Sequence, residues 1–97
     1  DVYIANVFTP DQLGFNDRLF VQTDEKISLI KEFIVMDRWG ESIFVAVPDH
    51  QPNDPAFGWD GRFNNDLVEQ GVYVYFVIVE DVLGQTKKYK GEVTVLK

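Results

Sequence analysis

The sequence predicts an all-β domain, an immunoglobulin-like β-sandwich of about seven short antiparallel strands, with a small barrel as the alternative. Three observations carry this reading. Runs of β-branched and aromatic residues recur at sandwich-like spacing, punctuated by glycine, proline, asparagine and aspartate. No stretch shows the apolar period of a long helix, and no internal repeat is visible. The 97 residues are 45% hydrophobic and include eight Phe, four Tyr and two Trp. Each large aromatic buries roughly 150–250 Å², so one core over residues 1–97 is feasible without staples.

The elements follow in order. Residues 2–8 alternate in the manner of a strand, which Thr9-Pro10 stops because Pro10 cannot donate to a ladder. The loop 11–17 holds Gly14 for a positive φ and Asn16 and Asp17 for Asx-type turns. Residues 19–23 read as a short strand and 24–29 as a loop or single helical turn. Strand character resumes at Ile30 and peaks at Phe33-Ile34-Val35-Met36, a short apolar run that reads better as a buried strand than as a helix. Asp37-Arg38-Trp39-Gly40 turns the chain into a strand at 42–47. Residues 48–58 form a proline-punctuated loop that ends on Trp59-Asp60-Gly61, and 62–70 make a structured connection. Residues 72–79 are the most strand-like run. Leu83-Gly84-Gln85 reverses it into 86–96, where Tyr89, Gly91, Val93 and Val95 alternate with Lys88, Lys90, Glu92 and Thr94.

The net charge of −7 and pI near 4.4 disfavour nucleic acid and anionic lipid as partners. With no cysteine there is neither a disulfide frame nor a thiolate metal site. No apolar run approaches the roughly 20 residues that span a bilayer, and no signal peptide is visible. The chain opens on Asp1 and enters a strand pattern at once, so it is expected to be a piece of a longer protein whose targeting segment lies upstream.

Trp39 and Trp59 each precede a turn glycine. The structural expectation is that each indole covers an open end of the sandwich, with Gly40 and Gly61 at positive φ and Asp60 accepting amides in its own turn. The functional alternative is an aromatic platform for sugar or peptide. Arg38 is expected to stack on a ring or pair with a carboxylate, and His50 to be a solvated loop residue. Asp11, Asn16, Asp17, Asp60, Asn64, Asn65 and Asp66 offer oxygens to Ca²⁺, though without EF-hand spacing, and turn chemistry accounts for them. No metal or cofactor is expected beyond that. A single histidine, no thiol and no phosphate loop make catalysis improbable.

Three blocks together carry a resemblance. They are Asn6-Val7-Phe8-Thr9-Pro10 with Asn16-Asp17; Met36-Asp37-Arg38-Trp39-Gly40 with Ile43-Phe44; and Trp59-Asp60-Gly61-Arg62-Phe63-Asn64, Gly71-Val72-Tyr73 and Tyr89-Lys90-Gly91-Glu92-Val93-Thr94-Val95. In order and spacing the chain resembles the gliding-motility-associated C-terminal domain, the type B C-terminal domain of the type IX secretion system. The likeness spans essentially all 97 residues. Departures are Asp11-Gln12-Leu13-Gly14 in place of the family's N-G-D-G, Asp37 where Asn is usual, and Gln70 where proline is common.

The resemblance implies a non-catalytic, monomeric sorting module at the C-terminus of a large surface adhesin. It implies export across the outer membrane to the cell surface or medium, with the type IX translocon and a PorP/SprF-family outer-membrane protein as partners. Recognition is expected at Arg38, Trp39, Lys87, Lys88 and Lys90, while Gly40, Trp59, Asp60 and Gly61 build turns. The lysines either steer docking to an acidic surface or protect a solvated edge. An open edge of the last hairpin would also suit strand addition. The competing functional reading is a carbohydrate-binding or adhesive sandwich that uses Trp39 and Trp59.

Overall fold

The clearest alternation in the sequence becomes the longest ladder of the molecule. The computed structural model describes residues 2–10 and 18–96. Its strands are β1 (Val2–Tyr3), β2 (Val7–Phe8), β3 (Gln22–Thr23), β4 (Ile27–Met36), β5 (Ser42–Val45), β6 (Arg62–Phe63), β7 (Asp66–Leu67), β8 (Gly71–Asp81) and β9 (Thr86–Val95). A five-stranded sheet runs in the order β2-β9-β8-β4-β5. β8 and β9 pair antiparallel from Gly71↔Val95 to Glu80↔Thr86 without a break. β4 flanks β8 with register shifts around Ser28 and Lys31.

One face of this sheet holds the core. Phe33, Val35, Val77, Val79, Val93 and Val95 point inward and are wholly buried. Burying each is worth roughly 1.5–3 kcal/mol. Against them pack Ile4, Leu19, Val21, Trp59 and Val68 from a thin second layer. That layer consists of the β1–β3 pair, the β6–β7 pair and an antiparallel bridge between Leu19 and Trp59. The domain is therefore an all-β sandwich with one thick and one fragmentary sheet.

Several element expectations need correction. The strand expected over 2–8 is two short strands in different sheets. β1 pairs with β3 in the thin layer, whereas β2 pairs with β9. Residues 4–6 carry the chain between layers, which one straight strand could not do. The β2–β9 pairing is also parallel, so the sandwich is not purely antiparallel. These strands lie at opposite ends of the chain and need no tight hairpin between them. β4 starts at Ile27 rather than Ile30, because Ile27 is buried and the Ser28 hydroxyl donates to the Glu80 carbonyl at 3.2 Å. Here tertiary pairing overrides polar composition. The connection at 62–70 contains the β6–β7 hairpin, turned by Asn64 and Asn65 at φ 54° and 70°. Two successive positive φ values are what a type I′ hairpin turn requires.

Candidate functional site

Trp59 is the point at which the three sequence blocks meet. Its backbone is clamped to Leu19 by bonds of 2.8 and 2.9 Å, and its indole N–H donates to the Arg62 carbonyl at 3.0 Å. Phe8 and Tyr73 each approach its ring with centroids 5.7 Å away, and Phe44 lies at 6.5 Å. Asp60 closes the following turn by accepting the Arg62 amide at 3.1 Å. Gly61 has φ +81°, and Pro10 occupies the space where its Cβ would lie. Trp59 is completely buried, so it is no platform for a sugar. It is the hub of the core, because its apolar ring fills the gap between layers while its one donor is satisfied.

The turn after β4 is built differently. Asp37 Oδ1 accepts the amides of Trp39 and Glu41, both at 2.9 Å. The Gly40 amide donates to the Asp37 carbonyl at 3.1 Å, and Gly40 sits at φ +88°. Asp37 and Gly40 thus close the turn by themselves. The Trp39 side chain is left projecting and 88% exposed, which corrects the expectation that it covers an end of the sandwich. Arg38 is exposed too, and it makes no ion pair or ring contact with any described residue. The expected stacking or pairing is absent because the turn points the guanidinium into solvent.

A shallow cleft beside this turn is lined by Asp37, Arg38, Trp39, Glu69, Gln70 and Tyr73. The Tyr73 hydroxyl donates to the Glu69 carbonyl at 2.8 Å. Burial pushes the Tyr73 pKa above its ordinary value of 10.0, and the carboxylates of Glu69 and Asp37 add to the rise.

Lys87, Lys88 and Lys90 lie exposed along β9. None forms an ion pair among the described residues. The Lys90 ammonium sits over the Phe76 ring, 5.9 Å from its centroid. These lysines pair with Val79, Ile78 and Phe76, whereas the Arg38-Trp39 turn follows Met36, which pairs with Val74. The candidate recognition residues therefore form two groups, not one patch.

His50 corrects another expectation. It is buried, exchanges backbone bonds with Ile30 at 2.8 and 3.0 Å, and stacks on Phe57 at 4.7 Å. Its Nδ1 donates to the Val47 carbonyl at 2.7 Å. The loop folds back on β4, so the imidazole acts as a structural plug. Of the oxygen-bearing residues considered for Ca²⁺, Asn64 and Asn65 serve the β6–β7 turn and Asp60 its own. Asp11, Asn16 and Asp17, like Gly14, lie outside the described residues. Among the described residues no cluster of His, Cys, Asp or Glu is arranged to hold a metal.

The sequence reading missed the outer face of the large sheet. It read 72–79 as the most strand-like run without assigning its residues to faces. Val77 and Val79 face the core, whereas Val74, Phe76 and Ile78 stand partly exposed beside Ile34 and Met36 of β4. The absence of any helical period to supply a covering layer was the available clue.

Compared with known families, residues 2–95 match the model described as the CHU_C type IX secretion signal domain. No curated protein matches the chain. Among the described residues no helix is long and apolar enough to cross a membrane.

Proposed function

Because the chain belongs to the CHU_C type IX secretion signal domain family, we propose that it is a type B sorting domain on a large surface adhesin of the gliding type. In this reading it is non-catalytic and is recognised, folded, by a PorP/SprF-family outer-membrane protein. Family membership gives the coarser role: a signal for type IX secretion, and so export across the outer membrane to the surface or medium. The observation that supports recognition of a fold, rather than of a linear tag, is the convergence on Trp59. Phe8, Phe44 and Tyr73, which come from all three blocks, contact one buried ring. Phe8, Phe44 and Tyr73 are thereby committed to holding the fold, and recognition falls to the surface they hold in place.

The test is export of a fluorescent reporter carrying residues 1–97 at its C-terminus in a cell with the type IX machinery. Surface fluorescence should appear and should depend on the matching PorP/SprF-family protein. Surface fluorescence without that protein would overturn the partner assignment, and periplasmic retention in both cells would overturn the signal itself. The carbohydrate-binding alternative now rests on Trp39 alone, exposed beside the acidic cleft. Titration of glycans against tryptophan fluorescence tests it; a flat response across a broad panel would remove it.

A further inference from the structure

β9 is an edge strand for most of its length. β2 reaches it only at Thr94 and Val95, because residues 4–6 then carry the chain away to β1. Among the described residues, nothing pairs with the free side of β9 over 86–93. The unpaired groups can be named. Thr94 and Leu96 donate their amides towards β2, to the Asn6 and Phe8 carbonyls at 2.9 and 3.0 Å. In a regular strand the N–H and C=O of one residue point to the same side, and the side alternates along the chain. Lys88, Lys90 and Glu92 therefore turn both of their backbone groups to the open side, while their neighbours bond β8.

This edge lacks most of the devices that blunt edges. It is long, its register against β8 is unbroken, and it holds no proline. The opposite edge, β5, is four residues long with a register shift beside it. What β9 carries instead is lysine, the remaining common deterrent to indiscriminate pairing. Lysine deters selectively. A second copy of this edge paired with Lys88 opposite Lys90 would set lysine against lysine, which is unfavourable across a ladder, whereas carboxylates at those positions are favourable. The chain carries 16 Asp and Glu, yet no described carboxylate pairs with Lys87, Lys88 or Lys90. Lys88 and Lys90 stand on the outer face, next to Ile78 and Phe76 in the register.

We propose that the free side of β9, residues 86–93, is a docking edge on which an extended acidic segment of the secretion machinery adds as a further strand. Its carboxylates, spaced two residues apart, lie opposite Lys88 and Lys90. Main-chain bonds to Lys88, Lys90 and Glu92 supply affinity, and the charge pairs select the partner. This proposal deepens the signal-domain reading and rests on it.

The test uses the reporter with the whole 97-residue chain and three variants. Lys90→Pro removes an open-side donor and leaves the bonds of neighbouring residues to β8. The pair Lys88→Glu and Lys90→Glu keeps every backbone group and reverses the charge. The pair Lys26→Glu and Lys31→Glu makes the same charge change away from the edge. Wild type and the Lys26/Lys31 variant should reach the surface, while each β9 variant loses about tenfold of the surface signal. The Lys88/Lys90 variant should retain the wild-type melting temperature, so its loss is not one of folding. If wild type and both β9 variants reach the surface equally, the docking edge is wrong and the signal reading stands. An equal loss in the Lys26/Lys31 variant would make net charge the cause and overturn the edge. If wild type stays inside, the signal reading fails and takes this proposal with it.

Discussion

Trp39 and Trp59 each precede a glycine at positive φ, yet one is 88% exposed and the other completely buried. The difference lies in what closes each turn. Asp37 and Gly40 suffice for the first, whereas the second is closed against Leu19, Pro10 and the core. Trp59→Ala should cost about 3–5 kcal/mol, as large aromatic truncations in cores do. Trp39→Ala should change stability by no more than about 0.5 kcal/mol. Urea unfolding of both variants checks the pair. Tyr73 gives a pH dependence. Its folded pKa is raised above 10.0, so the unfolded chain loses this proton first. The stability contribution is whole below the unfolded value and falls as pH rises through the folded one. Tyr73→Phe should therefore flatten the fall in melting temperature as pH rises above 10.0. Residue types around the turns were legible in the sequence, but the fate of each indole was not. Burial depends on which distant segment arrives, and Phe8 and Tyr73 are remote from Trp59 in the chain.

At the scale of elements, two turns share one architecture. Asp81 Oδ1 accepts the amides of Leu83 and Gln85 at 2.9 Å, and Gly84 takes φ +83° and donates to the Asp81 carbonyl at 3.0 Å. This repeats the Asp37-Arg38-Trp39-Gly40-Glu41 turn bond for bond, and each turn leaves a bulky apolar side chain at its tip, Leu83 being 81% exposed. Asp37→Ala and Asp81→Ala should each destabilise by about 1–2 kcal/mol, the loss of two modest hydrogen bonds. Asp37→Asn keeps the accepting oxygen and should be close to neutral, which is why Asp in place of the family's usual Asn leaves the turn intact. Paired unfolding measurements on the hairpin variants test this equivalence. Alternation made β9 readable because one of its faces is buried, and β8 was readable from its unbroken run of β-branched and aromatic residues. The split of residues 2–8 and the hairpin at 62–70 were not readable, since two-residue strands carry no period and are placed by their partners.

Across the whole molecule, a single sheet face holds the core and a fragmentary layer covers it. All-β class and sandwich architecture were legible from composition and turn spacing; the parallel β2–β9 closure and the open edge of β9 were not, because they are properties of strand order. The central claim is that the exported signal is this fold and not a linear tag. The most direct test compares surface display of the reporter fused to wild type, to Tyr73→Phe, and to the double variant Trp59→Ala, Phe33→Ala. The double variant removes two buried core aromatics, a loss of about 6–10 kcal/mol against a total stability of about 5–15 kcal/mol for a domain of this kind. With equal reporter levels in total cell protein, wild type and Tyr73→Phe should reach the surface, and the double variant should remain inside. Surface display of the double variant at the wild-type level, with the purified domain shown to be unfolded, would contradict the account and make the signal a linear one.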